Sequence, residues 1–76
     1  MNDLLIPHFG VCKTLDIAEK YNYLILWHTQ DGKGWIELIN PHEDSPYGST
    51  VLSNTVKEKT LLDAQCRWLG EKGGVA

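Results

Sequence analysis

Cysteine is scarce in this chain, with Cys12 and Cys66 the only two thiols. Small secreted domains of comparable length are usually held together by several disulfides, so a disulfide framework is excluded and reduced thiols in a cytosolic setting are expected. Long hydrophobic runs are missing as well. Nothing approaches the roughly 18 consecutive apolar residues of a membrane span. The opening Met1-Asn-Asp-Leu-Leu-Ile-Pro-His has no basic start, and Pro7 interrupts it after three apolar residues, so it does not read as a signal segment. A soluble, cytoplasmic chain without a membrane partner is the expectation. Positive charge is also in short supply, with seven Lys and Arg against ten Asp and Glu and a formal net charge of −3. That balance gives no electrostatic reason to approach DNA, RNA or an anionic surface, and nucleic acid is disfavoured as a partner.

The 76 residues suffice for a single small domain and not for two packed cores. A domain this small gains only about 3–5 kcal/mol from its core, so a staple, a metal or a second copy often adds to it. Self-association enters the reading for that reason.

Signatures of chemistry are equally thin. His8, Cys12, His28, His42 and Cys66 are metal-ligand types, but only His8 and Cys12 lie close together in sequence, whereas structural zinc sites pair ligands at short spacing at both ends. Cys66 falls late in a helical pattern, where the dipole disfavours a thiolate, and Cys12 has no fixed base beside it. Both thiols read as small apolar packers and the histidines as exposed polar residues. Glu43 and Asp44 are neighbours in a loop, and Glu37 stands on a strand without an acidic partner, so paired-carboxylate chemistry has no frame. Gly32-Lys33-Gly34 lacks the longer phosphate-loop pattern and is accounted for by a turn. No catalytic residue, cofactor or metal site is assigned, and the chain is read as a non-enzyme.

The densest signal is a hairpin over about Tyr21–Asn40. Tyr21-Asn-Tyr-Leu-Ile-Leu-Trp-His-Thr is rich in aromatic and branched residues, Asp31-Gly32 is a turn signal, and Gly34-Trp-Ile-Glu-Leu-Ile-Asn returns. With a two-residue turn, Trp27 lies opposite Ile36, Ile25 opposite Leu38 and Tyr23 opposite Asn40. One face then carries Tyr21, Tyr23, Ile25, Trp27, Ile36 and Leu38. The other carries Leu24, Leu26, Trp35 and Ile39, interrupted by His28 and Glu37. A single helix covers only one of these faces.

Residues 1–13 read as an extended arm, with apolar Leu4, Ile6, Phe9 and Val11 able to cover the second face. Thr14-Leu-Asp-Ile-Ala-Glu-Lys-Tyr fits both a helix capped by Thr14 and a strand, with the helix slightly favoured. Pro41 to Ser49 is a polar loop punctuated by prolines and glycine, an acidic segment that also suits a basic protein surface. Thr55-Val-Lys-Glu58 has capping-box spacing and predicts an amphipathic helix over about Thr55–Gly70, its apolar side formed by Leu61, Leu62, Gln65, Trp68 and Leu69. Residues 71–76 read as a flexible tail.

The predicted fold is α+β: a small antiparallel sheet around the hairpin, the N-terminal region a candidate third strand, and the C-terminal helix packed on one face. The surplus apolar face, Leu24, Leu26, His28, Trp35, Glu37 and Ile39, is the predicted partner-binding surface, with Trp35 as aromatic anchor. The expected function is that of a non-enzymatic protein-binding module, self-associating as a homodimer or occupying another protein's surface. Small acidic chains of this build, including ones from phages and mobile elements, often serve as inhibitors or regulators. The alternative is a small nucleic-acid or nucleotide binder using the aromatic face, which a basic patch formed by Lys13, Lys20, Lys33 and Arg67 would favour.

Overall fold

A computed structural model describes residues 6–40 and 45–71. It shows an α+β fold in which a five-stranded sheet carries both helices on one face. The chain runs through β1 (His8–Phe9), α1 (Val11–Tyr21), β2 (Leu24–Gln30), β3 (Lys33–Ile39), β4 (Thr50–Ser53), β5 (Val56–Lys57) and α2 (Glu58–Glu71).

The ambiguous stretch is helical, and α1 already takes in Val11, Cys12 and Lys13, which the sequence places in the arm. Its N-cap is Gly10, not Thr14. Thr14 is buried one turn inside and donates its hydroxyl back to the Gly10 carbonyl at 2.8 Å, so a polar side chain enters the core fully satisfied. Thr14, Leu15, Ile17 and Ala18 form the buried stripe. The helix ends at Asn22, which adopts a left-handed conformation with φ of 62°, while Tyr23 N–H bonds to the Ala18 carbonyl at 3.0 Å. This αL cap tolerates Asn and turns the chain directly into the sheet. Tyr21 therefore belongs to α1 and not to the hairpin.

Asp31 and Gly32 both have positive φ, 53° and 78°, as the type I′ hairpin turn requires. The register follows from it: Trp27 pairs with Ile36, Ile25 with Leu38 and Leu24 with Ile39. β3 is the central strand, pairing β2 on one side and both β4 and β5 on the other. β4 was not legible within the stretch after the polar loop. The sheet is also mixed, because β1 lies parallel to β4, with Leu52 and Asn54 amides donating to the Pro7 and Phe9 carbonyls.

Between β4 and β5 the register slips by one residue. Three steps along β3, Glu37 to Gly34, face four steps from Leu52 to Val56. Such a bulge leaves a ladder amide without its backbone partner. Here the buried Ser53 hydroxyl accepts from Ile36 N–H at 2.8 Å and donates to the Asn54 carbonyl at 3.0 Å.

The predicted capping box is not used. Thr55 precedes β5, Glu58 N–H donates to the Gly32 carbonyl at 2.9 Å, and α2 begins only at Glu58. Anchored at the hairpin turn in this way, α2 presents Leu61, Ala64 and Trp68 to the core. Leu62 and Leu69, placed on the packing side by periodicity, are 42% and 46% exposed. The core thus comprises Leu15, Ile17 and Ala18 from α1, Ile36, Leu38 and Val51 from the sheet, Leu61 from α2, and Tyr23. The Tyr23 phenol closes it against the loop, 2.7 Å from the Gly48 carbonyl and 2.6 Å from Ser45 Oγ. Residues 1–5, 41–44 and 72–76, which take in the first five residues of the expected arm, part of the polar loop with His42, Glu43 and Asp44, and most of the expected tail, lie outside the described residues.

Candidate functional site

Because both helices pack on the face of Ile36, Leu38 and Val51, alternation along the strands assigns the opposite face to a second set of side chains. Leu24 stands beside Ile39 and then Thr50, Leu26 beside Glu37 and then Leu52, and His28 beside Trp35. His8 extends the Leu52 row through its pairing with β4. All six residues predicted as the partner-binding surface share this face.

The described part of the arm, residues 6–13, does not cover it in the way the sequence allows. Phe9 and Val11 pack against the core cluster on the helical side, Ile6 is 42% exposed, and Leu4 lies outside the described residues. Leu24 and Leu26 are left 58% and 42% exposed, whereas Trp35, Ile39 and Leu52 are half-buried by their neighbours.

The centre of the face is ordered by three side chains. His28 and Trp35 occupy directly opposed positions, and their rings stack with centroids 5.1 Å apart and planes 9° from parallel. On the other side of the imidazole, Nε2 donates to Glu37 Oε1 across the diagonal at 2.8 Å. The Trp35 ring thus packs on a histidine that itself contacts a carboxylate. Aliphatic ground lies to one side in Leu24, Leu26, Ile39 and Leu52. The result is an amphipathic platform with a stacked aromatic group at its centre.

Two cavities lie away from His28 and Glu37. One, of about 260 Å³, is a groove between the helices with Leu15, Ala64 and Trp68 as its floor and Asp16, Glu19 and Arg67 on its rim. The sequence reading missed it, although Asp16 and Glu19 on α1 and Ala64, Arg67 and Trp68 on α2 are spaced as one-sided helical sets. The other lies at Lys33, Thr55, Val56 and Lys57.

Of the dispersed ligand types His42 lies outside the described residues, and the other four do not converge. His8 sits on β1 with Nδ1 at 2.9 Å from the Ile6 carbonyl, Cys12 on α1, His28 on the open face and Cys66 on α2. Among the described residues no three His, Cys, Asp or Glu side chains gather in a metal-binding arrangement. Both cysteines are exposed, so neither is the apolar packer that its residue type suggests. The four cations that would favour a nucleic-acid surface are spread out: Lys13 lies over the Phe9 ring, Lys20 over Tyr21, Arg67 in the interhelical groove and Lys33 at the hairpin end. No helix among the described residues is long and apolar enough to cross a membrane. Neither a family model, a curated protein nor a solved structure matches this chain.

Proposed function

We propose that this chain is a non-enzymatic protein-binding module that works by laying the open sheet face on another protein surface, as a small regulator or inhibitor does. The observation that carries the reading is the one-sided placement of the helices. It leaves Leu24 and Leu26 exposed next to the Trp35–His28–Glu37 strip on a face that has no covering layer among the described residues. Contiguous apolar surface with a polar margin is the usual mark of an interaction site, and a stacked Trp is an efficient anchor because little conformational freedom remains to be lost on binding.

The test is site-specific photocrosslinking in cells that produce the protein, with a benzophenone amino acid at position 35 and, as a control, at the exposed helical position 59. Protein adducts from position 35 and none from position 59 are expected. Equal yields from both positions, or none from position 35, would remove the reading.

A nucleotide or single-stranded nucleic-acid ligand is the second reading. Lys33 and Lys57 lie directly opposite each other in the β3–β5 pair, one alternate position along β3 from Trp35, so two cations flank a stacked aromatic pair. Tryptophan fluorescence titrated with an oligonucleotide at low salt checks this, and an unchanged signal would reject it.

A further inference from the structure

We infer that the edge of β2, which no other described residue covers, pairs antiparallel with β2 of a second copy of this chain, in a register centred on Leu26. The inference goes beyond the reading of the open face, because it concerns the strand edge and stands or falls separately from it.

Among the described residues β2 is the terminal strand of the sheet, with β3 on one side only. Gln30 and Lys33 flank the two-residue turn and form the narrow pair of a type I′ hairpin, so Ile25, Trp27 and Thr29 direct their N–H and C=O groups away from β3. Seven residues of edge are therefore available to another strand.

Exposure points to a missing strand rather than a missing layer. Across the sheet at β3, Ile36 and Leu38 are fully buried on the helical side. On β2 the apolar residues are incompletely covered on both faces, Leu24 and Leu26 on the open side and Ile25 and Trp27 on the helical side. A layer over the open face would cover the first pair and leave the second unchanged. A strand added at the edge adjoins both.

The occupant follows from charge. A two-fold axis brings each residue of a strand opposite its counterpart on the far side of the axis, so ionised side chains readily meet their own sign. Leu24-Ile-Leu-Trp-His-Thr-Gln contains no Asp, Glu, Lys or Arg, although 22% of the chain is charged. It also lacks the lysine, proline or bulge with which edge strands usually prevent such pairing. Centring on Leu26 sets Leu26 against Leu26, Leu24 against His28 and Ile25 against Trp27 of the other copy. That register also brings the outward backbone groups of Ile25 and Trp27 into a hydrogen-bonded pair.

The experiment combines sedimentation of the full chain over a concentration series with amide hydrogen exchange followed residue by residue at the two ends of that series. Mass should rise from 8.6 kDa towards twice that value, and the amides of Ile25 and Trp27, which the Leu26-centred register pairs, should change from fast exchange to protected over the same range. Leu26→Lys sets two ammonium groups opposite each other at the axis and should raise the dissociation constant about tenfold or more. Should that variant fail to fold, the exchange measurement on the parent still decides. A mass of one copy throughout overturns the inference, as does protection of these two amides at the lowest concentration, where another part of the same chain would be covering the edge. A doubled mass with these amides still exchanging fast also overturns it; the copies would then meet elsewhere, and the open-face reading would stand on its crosslinking result.

Discussion

Gly34 and Leu61 meet so closely that a β-carbon on Gly34 would stand 2.6 Å from Leu61 Cδ2 and 2.9 Å from the His28 carbonyl oxygen. The absent side chain is what lets α2 settle directly on the hairpin, since Leu61 fills the space above β3 with no exposure. Gly34→Ala is expected to cost about 1–3 kcal/mol as an overpacked site, and Leu61→Ala about 2–5 kcal/mol as a cavity. The double variant should be less destabilised than the sum of the two and should still retain a penalty, because the His28 carbonyl cannot move aside as a side chain can. Urea unfolding of the four proteins checks this.

Ser53→Ala is expected to destabilise the protein by about 1–3 kcal/mol, because the Ile36 amide at the bulge loses its acceptor in a buried place. Hydrogen exchange at Ile36 should accelerate with it. A loss below the error of a denaturation curve would mean that the bulge repairs itself by shifting register.

Tyr23→Phe removes the phenol that ties the loop at Ser45 and Gly48 to the core and leaves the ring packing in place. A loss of about 0.5–1.5 kcal/mol is expected, accompanied by faster amide exchange at Tyr47 and Gly48. Unaltered exchange there would show that the loop is held by its other contacts, among them the edge-to-face packing of Tyr47 on Phe9 and Tyr21.

Cys12 and Cys66 are both exposed and unpaired with each other. Both should react with a thiol reagent such as Ellman's in the folded protein, without denaturant. Replacement of either by Ser should change stability by less than about 0.5 kcal/mol, as at an ordinary surface position. A thiol that titrates only after unfolding would contradict its placement.

The platform was legible in the residues because strand alternation has a period of two and an Asp-Gly turn admits essentially one register. Those two constraints alone separate Leu24, Leu26, His28, Trp35, Glu37 and Ile39 from Ile25, Trp27, Ile36 and Leu38. The stacking of His28 on Trp35 and the Glu37 contact follow from that register but depend on rotamers that no pattern encodes. The rest of the sheet was harder to read, since β1, β4 and β5 span only two, four and two residues. Strands so short carry no periodicity of their own and exist because β3 and β4 offer them backbone partners.

The sequence by itself determined the α+β class, the hairpin, its turn and its register, because these depend on local backbone preference and on alternation between neighbouring residues. The tertiary structure alone decided which side of each helix is buried and that both helices share one face. Thr55 has the chemistry of a cap, yet the chain spends Val56 and Lys57 on β3 and starts α2 at Glu58, which keeps Leu61 and Trp68 on the packing side, as their periodicity places them, and leaves Leu62 and Leu69 exposed. A helix's packing side depends on where its first residue is anchored, and that anchor is a long-range hydrogen bond to Gly32, which no local pattern contains.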